Sequence, residues 1–319
     1  MKILFITSSR IGDAVLSSGL LNHIEKTYPQ AKVTIACGPL AVSLFQGYPL
    51  LEAIIPLKKE KRNGHWVKLW KAVVGTRWDI VIDLRDSAVS RLIFAKQKYI
   101  FSSHIQKDQH KTKQNADVMR LEQTPAPKMW FTKDQMTGAQ KIITSGGLVL
   151  GVGPTANWTG KTWPVERFVE IVEFMTAEGG VMEGARVAVF GAPGEEDDAL
   201  KLLNSIPKER QIDCIAKGSP GEAAAMIARC DFYIGNDSGL MHCAAAAGVP
   251  TLGLFGPSFP HIYAPYGGHA SYVRTPESFD ELIDYEGYSP GTCGCLMETL
   301  SVDAVKEEIT KRFLAKKAA

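Results

Sequence analysis

Apolar residues in this chain fall into short runs alternating with longer stretches of helical spacing. Residues 2–7 (KILFIT), 33–37, 54–57 and 79–84 (DIVIDL) read as strands, and residues 13–27 carry Val15, Leu16, Leu20, Leu21 and Ile24 at helical intervals. A Trp-rich amphipathic stretch, 66–74, lies between the third and fourth runs. Strands apolar on both faces and joined by helices predict a parallel, doubly wound sheet. Residues 102–113 are polar and basic and read as a long loop; a helix follows over 133–144, and Ser145-Gly146-Gly147 reads as a hinge. The grammar restarts at 148. Strands over 148–152, 186–190, 213–216, 231–235 and 251–255 alternate with helices over 165–177, 195–203, 221–228 and 240–247, and a last helix spans 302–313. In such sheets ligands sit beyond the carboxyl ends of the strands.

Composition narrows this picture. A chain of 319 residues suggests about two domains. No run approaches the roughly 18 apolar residues of a transmembrane helix, and the first residues turn polar too early for a secretory signal, so a cytoplasmic protein is expected. Six cysteines, mostly in apolar runs, are too sparse for a disulfide scaffold. Net charge is +2, but residues 1–150 hold 22 Lys+Arg against 11 Asp+Glu and the remainder 14 against 23. The first half therefore attracts an anionic partner; the second cannot do so by bulk charge.

Four segments carry candidate chemistry. Asn236-Asp237-Ser238-Gly239-Leu240-Met241-His242 leaves a strand and opens an Ala-rich helix, whose N-H groups and dipole suit a phosphate. Equally, Asp237 or Ser238 could simply cap that helix and His242 be a satisfied helix-face residue. A small-residue loop, 256–260, reaches the same rim. Residues 153–164 (GPTANWTGKTWP) offer hydroxyls, free N-H groups and Lys161, either a solvated surface lysine or a cation for a diphosphate. Thr7-Ser8-Ser9-Arg10-Ile11-Gly12-Asp13 lacks G-x-G-x-x-G, which weakens a dinucleotide reading. Asp13 is then a helix cap or an acceptor of a proton from an attacking hydroxyl. Finally, Lys58, Lys59, Lys61, Arg62, His65, Lys68 and Lys71 interleave with Trp66 and Trp70, and a second basic run holds Lys96, Lys98, Lys107, Lys111 and Lys113. No nucleic-acid module accompanies them; an anionic acceptor at a membrane surface fits. Cys293-Gly294-Cys295 lacks the second pair a zinc site needs.

Taken together, GDAVLSSGLLNHIEKTYP, KTWPVERF, NDSGLMHCAAAAGVPTLGLFGPSFP and CGCLM resemble the bacterial heptosyltransferases of lipopolysaccharide core synthesis, glycosyltransferase family nine. The resemblance implies a GT-B fold of two Rossmann-like domains facing a cleft: 1–147 binding acceptor, 148–300 binding nucleotide sugar, and 301–319 forming a helix that packs back toward the first. It implies inverting, metal-independent transfer from ADP-L-glycero-β-D-manno-heptose. Asp13 then matches the general base and Lys161 the residue facing the leaving diphosphate. Asp237, Ser238, Gly239 and His242 match the nucleotide-sugar loop, Glu222 a position near the nucleoside, and Ser9, Gly12, Thr155 and Asn157 fall on the donor side. Where relatives often carry adjacent hydroxyl residues, this chain has Thr155-Ala156-Asn157. Lys58, Lys59, Lys61, Arg62 and Arg120 are assigned to the acceptor. The implied partners are an ADP-sugar and a lipid A-Kdo type precursor, with peripheral contact at the cytoplasmic face of the inner membrane, no cofactor and no nucleic acid. Alternatives are another nucleotide-sugar transferase of the family, a sugar-nucleotide epimerase, which would turn over without acceptor, and a nucleotide-sugar binding module, which would not turn over.

Overall fold

A computed structural model describes residues 1–318, with side-chain surroundings as far as Phe313. The chain divides into two compact units: Met1–Gln135 with Ser219–Glu222, and Met136–Gly218 with the residues from Ala223 onward.

The first unit is built on five parallel strands, β1 (Lys2–Ile6), β2 (Lys32–Cys37), β3 (Leu51–Pro56), β4 (Trp78–Asp83) and β5 (Ala95–Ile100), in the order β3-β2-β1-β4-β5. The second unit has six: β6 (Val149–Gly153), β7 (Arg186–Gly191), β8 (Gln211–Ile215), β9 (Phe232–Asn236), β10 (Thr251–Phe255) and β11 (Ala270–Arg274), in the order β11-β10-β9-β6-β7-β8. In each sheet the strand order reverses once, between β1 and β4 and between β6 and β9. That is the topological switch point, beyond whose carboxyl end doubly wound sheets bind ligands.

Two edge strands and one eight-residue helix are among the elements that escape the hydrophobic pattern. β5 is an outer strand whose Lys96, Gln97 and Lys98 face water, as charged edge strands do, so no apolar alternation marks it. β11 is the other unit's edge and is similarly half-polar. The segment expected to be loop through Lys113 turns helical at Lys111–Val118. Its buried face is polar: Gln114 Nε2 donates to the carbonyls of Lys107 (2.9 Å) and Gln109 (2.8 Å), and Asn115 Nδ2 to that of Leu16 (3.3 Å). Amide side chains satisfying backbone carbonyls replace the apolar stripe on which periodicity depends.

The division between units also departs from expectation. It falls within the Lys133–Ile142 helix rather than at Ser145-Gly146-Gly147. Gln135 belongs to the first unit because its Nε2 donates to the Ser43 carbonyl at 2.9 Å while its Oε1 accepts Thr132 N-H at 2.9 Å. The Ile143 carbonyl instead accepts Arg229 Nε at 2.6 Å, within the second unit.

The closing helix, Val302–Ala318, packs on the second unit. Val305 and Ile309 lie fully inside that unit's core, Phe313 meets Phe232 at 5.3 Å, and Arg312 Nη2 donates to the Ala270 carbonyl at 2.8 Å. Burying the two aliphatic side chains contributes roughly 4 kcal/mol, enough to fix the helix there.

Candidate active site

The second unit's switch point is heavily cross-tied. β6 runs into the loop holding Thr155, Asn157 and Lys161; β9 ends at Asn236 and is followed by Asp237 and the Gly239–Ala246 helix. Asn236 is fully buried and joins the two: its Nδ2 donates to the Pro154 carbonyl at 2.7 Å and its Oδ1 accepts Trp163 N-H at 3.2 Å. Asp237 N-H in turn donates to the Leu254 carbonyl at 3.0 Å, linking β10. On this frame Lys161 Nζ donates to Asp237 Oδ2 at 2.6 Å, and His242 Nε2 stands 3.9 Å from Asp237 Oδ1. Asp237 and His242 are buried, and Lys161 keeps about a quarter of its side chain exposed. The Ser238 side chain does not cap the helix, so it leaves the first N-H groups of Gly239–Ala246 to other partners. Thr155 is half-buried and Asn157 exposed on the same loop.

The Cys-Gly-Cys segment supports this loop from behind. Cys295 Sγ donates to the Thr162 carbonyl at 3.1 Å and accepts Met297 N-H at 3.2 Å, Trp158 Nε1 donates to Cys293 Sγ at 3.2 Å, and Leu296 N-H donates to the Gly160 carbonyl at 3.2 Å. Trp163 is fully buried, and its Nε1 donates to the Leu300 carbonyl at 2.9 Å. Glycine is needed at 153 because a Cβ there would stand 2.0 Å from the buried Tyr233 hydroxyl. Among the described residues, no three or more His, Cys, Asp or Glu side chains are gathered as metal ligands.

The first unit's switch point is made differently. Asp13 lies in the opening turn of the Ile11–Thr27 helix, half-buried, beyond the carboxyl end of β1. Its Oδ2 accepts the Ser8 hydroxyl at a long 3.4 Å; Ser8 Oγ in turn accepts Arg10 N-H at 3.2 Å and Arg85 Nη1 at 3.4 Å. Asp13 is therefore not a side-chain cap of its helix, whose N-cap is Arg10. Gly12 adjoins it in the same turn; Ser9 is exposed and rests so close on Gly38 that a Cβ there would lie 2.4 Å from the Ser9 Cα. Beyond β4, the fully buried Asp83 holds the next loop by accepting Arg85 N-H (2.8 Å), Ser87 N-H (2.9 Å) and the Ser87 hydroxyl (2.6 Å). That aims Arg85 toward Ser8. Lys111 completes the cluster. Burial lowers its amine below the ordinary lysine value; the Asp13 carboxylate opposes that shift, and Arg85 and Lys107 add to it.

The first unit's rim offers a carboxylate among cations, and the second unit's rim, a lysine beside a helix start, suits a phosphate. Residues 97–282, more than half of the chain, match glycosyltransferase family 9 (heptosyltransferase). The chain belongs to this family. Lipooligosaccharide heptosyltransferase 2 of Haemophilus influenzae is 26% identical to this glycosyltransferase across 89% of the chain and 90% of the relative. Glycosyl transferase family 9 from Veillonella parvula superposes with a TM-score of 0.80 at 20% identity, covering 98% and 97% of the two chains. ADP-heptose LPS heptosyltransferase II of E. coli gives 0.74 at 22%, covering 99% and 100%. The two parallel sheets are those of the GT-B fold.

The acceptor residues expected in this glycosyltransferase do not form one cluster. Lys58, Lys59, Lys61 and Arg62 are exposed in the loop after β3, at one edge of the first sheet, with Arg62 and Asn63 in left-handed backbone. Among the described residues, none of those four cations forms an ion pair. Arg120 lies against the opposite edge, lining a cavity of ≈ 810 Å³ with Lys98 and His104 beside β5. Arg85 and Lys111 sit between these edges, at the switch point, and sequence reasoning did not single them out there. Arg85 directly follows a DIVIDL strand, which is the signal that marks it. Glu222 reaches back along its own chain. Its Oε2 accepts the Ser219 N-H (2.6 Å) and hydroxyl (2.7 Å), which hold its carboxyl below the usual range and make it the capping partner of Ser219 at the start of the Pro220–Ile227 helix.

Proposed function

We propose that this glycosyltransferase moves a heptose from ADP-L-glycero-β-D-manno-heptose onto the anionic inner core of a lipid A-Kdo type lipopolysaccharide precursor, with inversion and without a metal. The observation that carries this reading is the Lys161–Asp237 pair at 2.6 Å beside the Gly239–Ala246 helix start. The acceptor hydroxyl oxygen attacks the anomeric carbon as the bond to the diphosphate oxygen breaks. ADP departs with that electron pair, and Asp13 takes the hydroxyl proton. Negative charge builds on the diphosphate, where the Lys161 ammonium and fixed N-H groups are most effective. Those donors supply the stabilisation that a divalent cation supplies in other transferases. Asp237 orients the lysine rather than reacting. The cations around Asp13 suit an acceptor rich in carboxylate and phosphate. The heptose is also supported by a relative, the similar Haemophilus influenzae protein being a lipooligosaccharide heptosyltransferase.

Incubation with ADP-heptose and a panel of truncated lipopolysaccharide acceptors, read by mass spectrometry, tests this. A heptose mass increment on a Kdo-bearing acceptor, in the presence of chelator, is expected. Donor conversion without acceptor would make the protein an epimerase instead; donor binding with no turnover on any acceptor would make it a binding module.

A further inference from the structure

We propose that Ser8 is the positioning residue of the base: its hydroxyl proton holds Asp13 Oδ2 and leaves Oδ1 for the acceptor's proton. The role of Asp13 as base rests on the proposed function; the geometry around Ser8 does not. A serine hydroxyl has one proton to give and two lone pairs to receive with. Arg10 N-H reaches Ser8 Oγ at 3.2 Å and Arg85 Nη1 reaches it at 3.4 Å, and a backbone amide and a guanidinium can only donate. With both lone pairs taken, the proton has one direction left, toward Asp13 Oδ2 at 3.4 Å. The bond therefore runs from serine to carboxylate, and a hydroxyl polarised by a permanent cation gives its proton the more strongly.

Ser8 can position another group because its own place is fixed. It is buried, its carbonyl accepts Gly38 N-H at 3.2 Å, and the preceding Thr7 N-H donates to the Ala36 carbonyl at 2.9 Å. Arg85 arrives from the neighbouring strand, with its own N-H held by Asp83 at 2.8 Å. Ser8 Oγ thus ties the loop after β1 to the loop after β4, as Asn236 ties two loops in the second unit. Asp13 needs such a tie. It stands in the opening turn of a helix, whose N-H groups attract a carboxylate. The half-buried Lys111 ammonium, which donates to Gln114 Oε1 at 3.2 Å and lies 5.0 Å from the Phe101 ring, attracts it as well. A carboxylate drawn in several directions has rotamers of similar energy, and a base must present one of them. The two 3.4 Å contacts are long, as catalytic hydrogen bonds often are before substrate binds and tightens them.

Full-length wild type, S8A, S8T, R85M, D13N and S8A/D13N, assayed for heptose transfer from ADP-heptose to a deacylated, Kdo-bearing acceptor, test the inference. S8A should lower kcat about tenfold, the effect of one hydrogen bond to a charged group, and leave both KM values within about twofold of wild type. S8T keeps the proton and should keep about a third or more of the wild-type kcat. R85M, at an exposed residue, leaves the buried turn intact and should lower kcat at saturating acceptor about threefold. Because Ser8 acts through Asp13, S8A should take nothing further from the residual rate of D13N. Crystal structures read the position directly: Asp13 should adopt one rotamer in wild type and, in S8A, turn toward Lys111 or spread over several. Wild-type kcat in S8A, an equal fractional loss in the D13N background, or an Asp13 unmoved in the S8A crystal would overturn the inference. A rate lost in D13N and kept in S8A would sink this inference alone, whereas D13N at the wild-type rate would remove Asp13 as the base and sink the proposed mechanism with it. Where no acceptor is turned over, the Asp13 rotamer decides the matter.

Discussion

The two switch points solve opposite problems with the same topology. In the second unit the loops around the candidate diphosphate site are cross-tied: Asn236 bridges two loops, Asp237 holds Lys161 at 2.6 Å, and Cys295 fastens the loop behind. In the first unit the central carboxylate, Asp13, has one 3.4 Å hydroxyl contact and lies among cations that are exposed or half-buried. A frame tied in this way fixes donors before charge develops, which is where electrostatic catalysis gains most. The other rim supplies attraction more than geometry. It suits a large anionic acceptor whose own shape provides much of the fit.

The most severe test of this contrast is Asp13→Asn. If the loosely held carboxylate is the base, turnover falls by about 10²-fold or more while ADP affinity, measured by calorimetry, stays near wild type. Near-wild-type turnover would reduce the first rim to an attractive surface. Lys161→Met addresses the other rim, where turnover should fall by about 10²-fold, as for removal of one fixed donor to a developing oxyanion. That substitution also takes the lysine from the buried Asp237 carboxylate, which costs roughly 2 kcal/mol of stability in urea titration. Adding Asp237→Asn should restore stability and not turnover; recovery of both would mean the pair is structural.

Neutralising Lys58, Lys59, Lys61 and Arg62 to Gln tests the long-range part of the comparison. The acceptor KM should rise about tenfold at low ionic strength, the donor KM should change little, and the difference should shrink in salt, because exposed charges are screened. Equal effects on both substrates would argue for a role in folding. Cys295→Ala asks how far the second rim depends on its backing. Loss of the sulfur contacts to Thr162 and Met297 should cost about 1 kcal/mol and raise the donor KM severalfold, leaving the acceptor KM unmoved.

These differences also explain what could be read from the sequence. The central strands and the strand-to-helix junctions on which Asp13, Lys161 and the Asp237–His242 segment stand were legible because apolar runs mark them. β5 and the Lys111–Val118 helix were not, since one carries exposed lysines and the other buries amides. Arg85 and Lys111 come beside Asp13 only once β4 and that hidden helix are placed. Likewise, Cys293 and Cys295 look like an incomplete metal site in sequence and act as hydrogen-bonding partners in the fold. Pattern finds elements whose energy is apolar burial; it misses those held by polar contacts distant in sequence.

Glu222 gives the smallest effect and the sharpest distinction between capping and donor binding. Two bonds from Ser219 lower its carboxyl pKa in the folded state, so Glu222 stabilises the fold above the unfolded carboxylate value of 4.5, and that stabilisation is lost as pH falls through the lower folded value. Glu222→Gln should therefore lower stability at pH 7 by about 0.5 kcal/mol, the low end for a helix cap, and should match wild type once both are acidified well below the folded value. Thermal melts across that range read the crossover directly. If Glu222 also holds the nucleoside, the variant's ADP affinity falls at pH 7 by more than the stability change accounts for. If it is a cap alone, ADP binding is unaltered, and recognition of the nucleotide rests with the cross-tied loops around Asn236 and Asp237.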